Sequence, residues 1–572
     1  MKSDRKCDKT LSTTKLLILV TLGFILLAIP LVLLAIDPVF LIYKYVARIS
    51  NGTEFYNVMK QENPGARIEL YIFNVTNTES FLSGKDYKMK VEEVGPFNYQ
   101  EYRTNKQFKF DEKTGLMSYI PFTRTEFLPH LSVGDPKLIN VTVPNAAILA
   151  MSSMVSTFPF WTKAAFNMLA TRLQSKPIVK LNAESLLWGY EDPLITLGNT
   201  ILPGWIHFKS IGILDRLYDQ TQIPVLEVSA RNEEKFKVKS VDGCQGLKVL
   251  GFDNPSMRSR CNTFEDTYEG FAYPPGLTKD DRLRLYRSIF CRMLDFDLVR
   301  TDSTDVSPYV FVYEISNTTY SINQNNECLC ANKDQCIDGV SSISPCLQGL
   351  GIGLSNAHFL HADPKIYERI DGMNPNVEKH GSKIVIDPKV GLVLSTSFTI
   401  QVNVIVQNVN FNSQVKPFSN MVVPLAYFKI ISSLTDENKN NVKAIYYLYP
   451  YIFHAIETIA LLLGVVTIAY AVCRTDWSWY KKSKFQEKHK NVAPISSETP
   501  LINENNKDCM ESESEVSVSL DEYSTLDFFH LLLSASIIFL ITCSGGWRWI
   551  TGSKTVRAGI MTGGGGIGYN NG

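Results

Sequence analysis

Cysteine is the residue type whose spacing in this chain points most directly to chemistry. Seven of the eleven cysteines fall between residues 244 and 346, and the last six of these are Cys261, Cys291, Cys328, Cys330, Cys336 and Cys346. Cys-x-Cys followed by a third cysteine occurs in zinc sites, but the lack of a nearby histidine favours disulfides in an oxidising compartment. Six cysteines allow fifteen pairings, so the residues alone leave the connectivity open.

Sequence motifs of catalysis are missing from the chain. It contains no G-x-S-x-G, no Walker A and no H-E-x-x-H segment. His358 and His361 lack a matched carboxylate pattern, which favours a place in a loop or in the core. Lys+Arg and Asp+Glu both number 57, so no basic excess indicates nucleic acid as a partner. We therefore expect no enzymatic activity, no catalytic residue, no metal and no cofactor.

Two long apolar segments bracket the region that holds these residues. Residues 16–36 carry no charge and, at 1.5 Å per residue, cover about 31 Å, the thickness of a hydrocarbon core. A cleaved signal peptide is the alternative, but its apolar region is shorter. The second segment is 451–473, in which His454 and Glu457 lie near one interface. Both segments predict transmembrane helices.

The flanking charges predict how the chain is oriented. Residues 1–15 carry five Lys/Arg against two Asp, and residues 474–490 carry six against two acids. The positive-inside rule therefore places 1–15 and 474–572 in the cytosol, and 37–450 in the lumen or outside the cell. Four N-glycosylation sequons lie in that middle region, at Asn51, Asn74, Asn140 and Asn317.

The middle region has mainly the pattern of β-strands. From Phe398 to Val406, apolar residues alternate with Thr399, Gln401 and Asn403, which predicts a half-buried strand. Turn residues are frequent, and no Pro/Gly/Ser-rich linker divides the region. We expect one large, mainly antiparallel β domain with some helix.

One stretch of the middle region has helical rather than strand spacing. Apolar residues from Trp161 to Leu173 recur at helical intervals, and Pro177 ends the run. Such a helix either packs on the core or is exposed and presents Lys163, Arg172 and Lys176 to a ligand.

Several short motifs, in one consistent order over roughly residues 7–474, resemble a known receptor family. They are Tyr71-Ile72-Phe73-Asn74-Val75-Thr76-Asn77, Glu93-Val94-Gly95-Pro96-Phe97, Leu187-Trp188-Gly189-Tyr190, Cys291-Arg292, Asn374-Pro375-Asn376 with His380, and Val423-Pro424. With the two apolar segments and the cysteine spacing, the chain resembles the class B scavenger receptors. This family contains the fatty-acid translocase of platelets and the lysosomal integral membrane protein type two. The Leu187 motif is nearer to the lysosomal branch.

The resemblance implies a fold and a disulfide pattern. The fold is a large antiparallel β-barrel domain with a helical head at 150–180 and a tunnel that accommodates lipid. The disulfides are Cys261–Cys328, Cys291–Cys346 and Cys330–Cys336. Cys244 is then left over, either free and buried or paired between molecules.

The predicted cytosolic tail carries short sorting signals. Leu501-Ile502 is similar to an acidic dileucine signal and Tyr523-Ser524-Thr525-Leu526 to a tyrosine-based signal, so sorting adaptors are expected partners. Cys7 and Cys473 lie at the cytosolic edges, where palmitoyl chains would reach the bilayer. The apolar segment 528–543 is either a third membrane segment or an alternative, non-native C-terminus.

Two functional hypotheses follow. The first is a double-pass scavenger-type receptor that binds and transfers lipids or lipoproteins through its luminal tunnel. Late endosomes or lysosomes are the favoured location, and the plasma membrane is the alternative. The second is a sorting receptor for a lysosomal hydrolase, or an adhesion receptor, that binds a protein through its head.

Overall fold

The structure is a computed structural model that describes residues 12–201, 210–219, 223–323, 326–329 and 336–490. The chain divides into two units after Lys484, and only the helical backbone of residues 485–490 is described in the second. Several predicted features lie outside the described residues, namely Cys7, Cys330, the apolar segment 528–543 and the tail signals at Leu501, Ile502, Tyr523 and Leu526.

Helices occupy both ends of the described chain and a stretch in its first half. In chain order they are α1 (Thr13–Ile36), α2 (Pro38–Val46), α3 (Glu54–Lys60), α4 (Thr78–Leu82), α5 (Ala146–Val155), α6 (Phe160–Arg172), α7 (Ala183–Trp188), α8 (Pro193–Ile201), α9 (Ile213–Leu217), α10 (Val377–His380), α11 (Asp436–Lys443) and α12 (Tyr449–Lys490). A π-helical turn, Ala444–Leu448, joins α11 to α12. The side chain of Thr53 caps α3, and that of Thr435 caps α11.

The strands make up the body of the domain. They are β1 (Asn63–Val75), β2 (Met89–Asp111), β3 (Leu116–Phe127), β4 (Asn140–Pro144), β5 (Ile178–Asn182), β6 (Leu226–Ser229), β7 (Val238–Val241), β8 (Thr267–Tyr268), β9 (Leu283–Arg287), β10 (Arg292–Asp302), β11 (Val310–Ile315), β12 (Ser341–Ser342), β13 (Ile352–Ser355), β14 (Ile370–Asp371), β15 (Lys383–Asp387), β16 (Leu392–Val406) and β17 (Met421–Ser433).

One sheet runs through almost all of these strands and nearly closes on itself. Its order is β7-β6-β3-β2-β1-β17-β16-β15-β11-β10-β9-β8, and its neighbours are antiparallel except for β8 with β9. The two ends meet at an antiparallel bridge between Lys237 and Tyr268. Beside that bridge, Nζ of Lys237 lies 2.6 Å from Oδ1 of Asp266. The predicted fold class, a large antiparallel barrel with helices, is confirmed.

The strand β16 is where predicted, but both of its faces are buried. Thr399, Gln401 and Asn403 form the polar face, and each is 0% exposed. The half-buried prediction was wrong here because other segments cover that face and supply polar partners. Asn403 donates to Oγ of Ser355, and Oε1 of Gln401 accepts the amide of His358. Local alternation reveals which residues share a face, but not what covers that face.

The cysteines are joined largely as the resemblance implies. Cys261 is bonded to Cys328 and Cys291 to Cys346. Cys336 is disulfide-bonded as well, and its expected partner Cys330 lies outside the described residues. Cys244 is a free thiol and is half-buried rather than fully buried.

Two helices are long and apolar enough to cross a membrane, and they contact each other. They are Thr13–Ile36 and the helical stretch Asp436–Arg474. A Cβ atom added to Gly464 would lie 2.9 Å from Leu27 and 3.1 Å from the carbonyl oxygen of Gly23. Small residues therefore let the two backbones approach closely, as in many membrane helix pairs. The chain is a double-pass membrane protein, as predicted.

Candidate ligand cavity in the barrel

The barrel contains a partly open cavity of about 800 Å³. Successive side chains of a strand point to opposite sides, so alternate residues of neighbouring strands share one wall. On β16 and β17 the shared wall includes Leu394, Thr396, Phe398, Phe428, Ile430 and Ser432, and Val393, Ser395 and Ser433 reach the cavity from intervening positions. Thr396 lies directly opposite Ser432 in the strand register, and Phe398 opposite Ile430. Phe290 extends this apolar wall, stacked on Phe428 with ring centroids 6.0 Å apart.

The cavity lining includes residues from the segment that follows the first membrane helix and from the segment that precedes the second. Val58 and Met59 of α3 line it, and so do Thr435 and Asn438, which begin the segment that leads into α12. No residue of 150–180, a stretch that is described throughout, lines the cavity. The lining therefore includes the start of the segment that leads into the second membrane helix and no residue of the predicted head.

One ion pair in the cavity wall is satisfied within the protein. Nη2 of Arg103 lies 2.5 Å from Oε1 of Glu269, whose side chain is 7% exposed. The hydroxyl of Tyr119 donates to the other carboxylate oxygen. Burial, together with the charge of Glu269, raises the pKa of Tyr119 well above its ordinary value, so Tyr119 stays a neutral donor. Arg103, Glu269 and Tyr119 together carry no net charge, so they offer no unpaired charge to a ligand.

Glu101 is a second buried carboxyl in the wall. Burial raises its pKa, against the opposing effects of a hydrogen bond from Tyr218 and the charges of Arg287 and Arg103. The hydroxyl of Tyr218 donates that hydrogen bond to Oε1 of Glu101. The neutral form of the carboxyl is therefore favoured more than at the protein surface.

Arg287 brings a cation to the cavity without an ion partner. It ends β9, is partly buried and lines the cavity beside Phe271 and Tyr286. Within the described chain, neither a hydrogen bond nor an ion pair reaches its guanidinium. A partly desolvated charge of this kind is costly unless an anion or water compensates it.

Comparison with known proteins decides the family. The family model described as the CD36 family matches residues 20–475. The chain belongs to the CD36 family. It is 25% identical to scavenger receptor class B member 1 of Sus scrofa over 475 residues, 80% of this chain and 91% of that protein. It is 28% identical to lysosome membrane protein 2 of Mus musculus over 448 residues, 77% and 89% of the two chains. The resemblance to class B scavenger receptors is confirmed.

Outside the cavity, this CD36-family chain has a cluster in which the buried His358 and His380 meet the exposed carboxylate of Glu93. Nε2 of His358 lies 2.8 Å from Oε1 of Glu93, and the hydroxyl of Tyr427 donates to Oε2 at 2.9 Å. The two imidazoles are stacked, with centroids 4.2 Å apart. His358 thus lies in the core, one of the two places expected for it, whereas His361 is exposed.

The cluster has the residue types of a metal site but not the hydrogen bonding. Backbone amides of Asn374 and Asn376 donate to Nδ1 of His358 and His380, both at 3.1 Å. In a neutral imidazole, the proton then resides on Nε2, the nitrogen that faces Glu93. A metal-bound histidine instead donates from its outer nitrogen to an acceptor. These residues therefore fit a proton-donating cluster and do not fit a metal centre.

The predicted head residues do not form one surface. Helix α6 exposes Trp161, Met168 and Arg172, which follow one another at helical spacing. Lys163 lies nine residues before Arg172, on the opposite side of the helix, and is partly buried with Nζ 5.7 Å from the ring of Phe411. Lys163 and Arg172 therefore lie on different faces of α6, and ligand binding by Lys163, Arg172 and Lys176 stays a prediction. Lys176 is exposed beyond the helix end.

The other predicted positions that are described differ in exposure. Asn51, Asn140 and Asn317 are exposed, whereas Asn74 is partly buried within β1 and its Oδ1 accepts the amide of Thr142 at 2.7 Å. Cys473 is an exposed free thiol at the end of the second span. Glycosylation and palmitoylation at these positions remain predictions.

Sequence reasoning missed the residues of the cavity. Arg103 and Glu269 are 166 positions apart, and no local spacing connects them. The available signal was weak: Arg284 and Arg287 each interrupt an otherwise apolar strand. An arginine at such a position is retained only if the fold gives it a partner or a ligand.

Proposed function

We propose that this protein is a scavenger-type membrane receptor, not an enzyme, that binds and transfers lipid in its luminal domain. One observation carries the proposal: a cavity inside a barrel, with aromatic and aliphatic side chains in its wall, whose lining includes Thr435 and Asn438 at the start of the helical stretch that forms the second span. Its volume of about 800 Å³ lies within the range of small-molecule sites, which is about 300–1,000 Å³.

The energetics favour a long-chain ligand. Burial of apolar surface contributes about 0.8 kcal/mol per CH₂, so an acyl chain of roughly sixteen carbons gains on the order of 10 kcal/mol before entropy costs. Phe290, Phe398 and Phe428 supply rigid apolar surface for such a chain. The position of Thr435 and Asn438 beside the second anchor gives that chain a short path to the outer leaflet.

We place the protein in late endosomes or lysosomes. Two relatives bear the names lysosome membrane protein 2 and scavenger receptor class B member 1, which fit an endolysosomal and a scavenger role. The tail motifs around Leu501 and Tyr523 support sorting by adaptors. Alanine at Leu501, Ile502, Tyr523 and Leu526 together should raise the surface fraction, and an unchanged distribution would leave the compartment to be assigned by other means.

Lipid extraction and mass spectrometry of the purified full-length protein test the lipid-binding proposal. Ser432→Phe places a ring into the cavity opposite Thr396 and should reduce the co-purified lipid several-fold. Ser397→Phe is the matched control, because Ser397 is on β16 and does not line the cavity within the described chain. Wild-type protein that carries no more lipid than Ser432→Phe would refute the proposal.

A specific surface favours a second candidate, a receptor for a protein ligand. Phe160, Trp161 and Met168 of α6 are 70%, 80% and 72% exposed. Adjacent exposed apolar side chains mark interaction sites on many proteins. Purified lysosomal hydrolases should then bind the wild type and not Trp161→Ser/Met168→Ser, with the lipid content unchanged. Equal binding by both forms would exclude this face as the receptor surface.

A further inference from the structure

Among the described residues, one guanidinium that lines the cavity, that of Arg287, has no ion-pair partner. Arg103 is paired with Glu269, and Arg216 lies 2.7 Å from Asp215, so these two cavity-lining arginines have carboxylate partners. Arg287 lines the same cavity, and within the described chain no carboxylate oxygen lies within salt-bridge distance of it. Arg287 therefore differs from Arg103 and Arg216, the two other described arginines of the wall, in lacking a carboxylate partner.

The carboxyl of Glu101 interacts with the charge of Arg287 but is hydrogen-bonded to Tyr218. Arg287 acts on Glu101 and Tyr218 through its charge, but those two residues are hydrogen-bonded to each other. Burial favours the neutral form of Glu101, which leaves the charge of Arg287 less compensated. Among the described arginines that line the cavity, Arg287 therefore has the least charge compensation.

On one side, the guanidinium of Arg287 lies close to the backbone of Gly270. A Cβ atom at Gly270 would lie 3.4 Å from Nη2 of Arg287 and 2.9 Å from Leu285. Gly270 itself has φ +96°, a conformation that favours glycine. The guanidinium thus lies over a backbone without a side chain, in a part of the cavity wall that Phe271 also lines.

We propose that Arg287 binds the anionic head group of a single-chain amphiphile, a carboxylate or a phosphate, inside the barrel. The inference rests on the proposed lipid-binding function and adds the charge and orientation of the ligand. A guanidinium donates two parallel hydrogen bonds to either anion, which a lysine does not. The chain of the ligand then lies along Phe290, Phe398 and Phe428, with its far end towards Thr435 and the anchors.

Competition binding to the full-length protein in nanodiscs tests the charge preference. The probes are palmitate, hexadecyl phosphate and hexadecanol, which share a sixteen-carbon chain and differ in the head group. Wild-type protein should bind one or both anions at least about ten-fold more tightly than the alcohol, the range of charge-assisted hydrogen bonds. Comparison of the two anions identifies the head group. Equal affinity for anions and alcohol would overturn this inference and leave lipid binding intact, whereas binding of none of them would refute both.

Variants assign the preference to one side chain. Arg287→Gln should bring the ratio of anion to alcohol affinity close to one, and Arg287→Lys should retain part of it. Arg282→Gln is the control, because Arg282 is 81% exposed, and it should keep the wild-type ratio. An unchanged ratio in Arg287→Gln would overturn the proposal.

Photolabelling makes the test independent of whether a variant folds. A palmitate with a diazirine near its carboxyl end should label residues beside Arg287, such as Phe271 and Tyr286, in the wild-type protein. A diazirine at the methyl end should label the region of Thr435 and Asn438. The reverse pattern would overturn the proposed orientation.

Discussion

At the scale of single residues, the clearest electrostatic feature is the stacked pair of imidazoles beside Glu93. Burial, then the neighbouring His358, lowers the pKa of His380 to about 4, although the carboxylate of Glu93 opposes this. Nδ1 of His380 accepts a backbone amide, so protonation there would break that hydrogen bond. His380 therefore stays neutral in the folded protein where an unfolded chain would already be protonated.

This difference predicts a loss of stability in acid. Between pH 7 and 5 the unfolded state binds a proton at His380, with an ordinary pKa near 6.5, and the folded state does not. Stability thus rises with pH across this window, and the loss on acidification is on the order of 2 kcal/mol, at about 1.4 kcal/mol per pKa unit. His380→Gln should flatten the dependence, because an amide oxygen can accept the same hydrogen bond without titrating.

Thermal unfolding of the full-length protein at a series of pH values measures the slope. His361→Gln is the matched control, because His361 is exposed and should leave the slope as in the wild type. A slope in His380→Gln equal to that of the wild type would contradict the assignment.

Residue-level predictions from the sequence succeeded where covalent chemistry or a family pattern limits the choices. The cysteines are the best case, since Cys261–Cys328 and Cys291–Cys346 follow the pairs implied by the resemblance. The charged residues of the cavity were missed because strands distant in sequence bring them together. The exposure of Lys163 was left open because apolar spacing does not indicate which side of a helix meets solvent.

At the scale of elements, the contact between the two membrane helices gives a direct test. Gly464→Leu would force a side chain against Leu27 and the backbone at Gly23, where even a Cβ atom is at 2.9–3.1 Å. Overpacking of this kind costs about 1–3 kcal/mol. We expect a lower unfolding midpoint for the full-length protein in nanodiscs.

Val466→Leu is the control for that substitution. Val466 is on the same helix and 61% exposed, so a larger side chain meets lipid rather than α1. If both variants unfold at the same midpoint, the close approach of the two helices does not contribute to stability.

Elements were predicted best where the pattern was long. The two spans and β16 follow from apolar runs and from period-two alternation. Burial of Thr399, Gln401 and Asn403 was not predictable from that alternation, because it depends on β13 and on the loop that carries His358. Polar side chains on a strand face therefore indicate solvent only when nothing packs over them.

At the scale of the whole molecule, the topology predicts which sequons carry glycans. Asn51, Asn140 and Asn317 are exposed, whereas Asn74 is in β1 and partly buried. Treatment with an N-glycosidase should shift the mass of protein from a eukaryotic host. Each of Asn51→Gln, Asn140→Gln and Asn317→Gln should reduce the shift by one glycan, and Asn74→Gln should change it least.

Two results of the glycosidase experiment would contradict different parts of this prediction. No mass shift in the wild type would contradict the luminal placement of residues 37–450. A shift that depends mainly on Asn74 would mean that this residue is modified before β1 is buried, although the topology would stand.

The two adjacent anchors also change the state to which the domain unfolds. The chain leaves α1 at Ile36 and re-enters the helical stretch at Asp436, so the bilayer holds the ends of a loop of roughly 400 residues close together even when every strand has melted. In the chain-entropy description of cross-links, closing such a loop removes about 6 kcal/mol of disorder from the unfolded ensemble. The membrane thus acts as an additional, non-covalent cross-link between the two ends of the domain. The domain between the two spans, released from both anchors, should unfold at a lower denaturant concentration than the same domain in the intact chain.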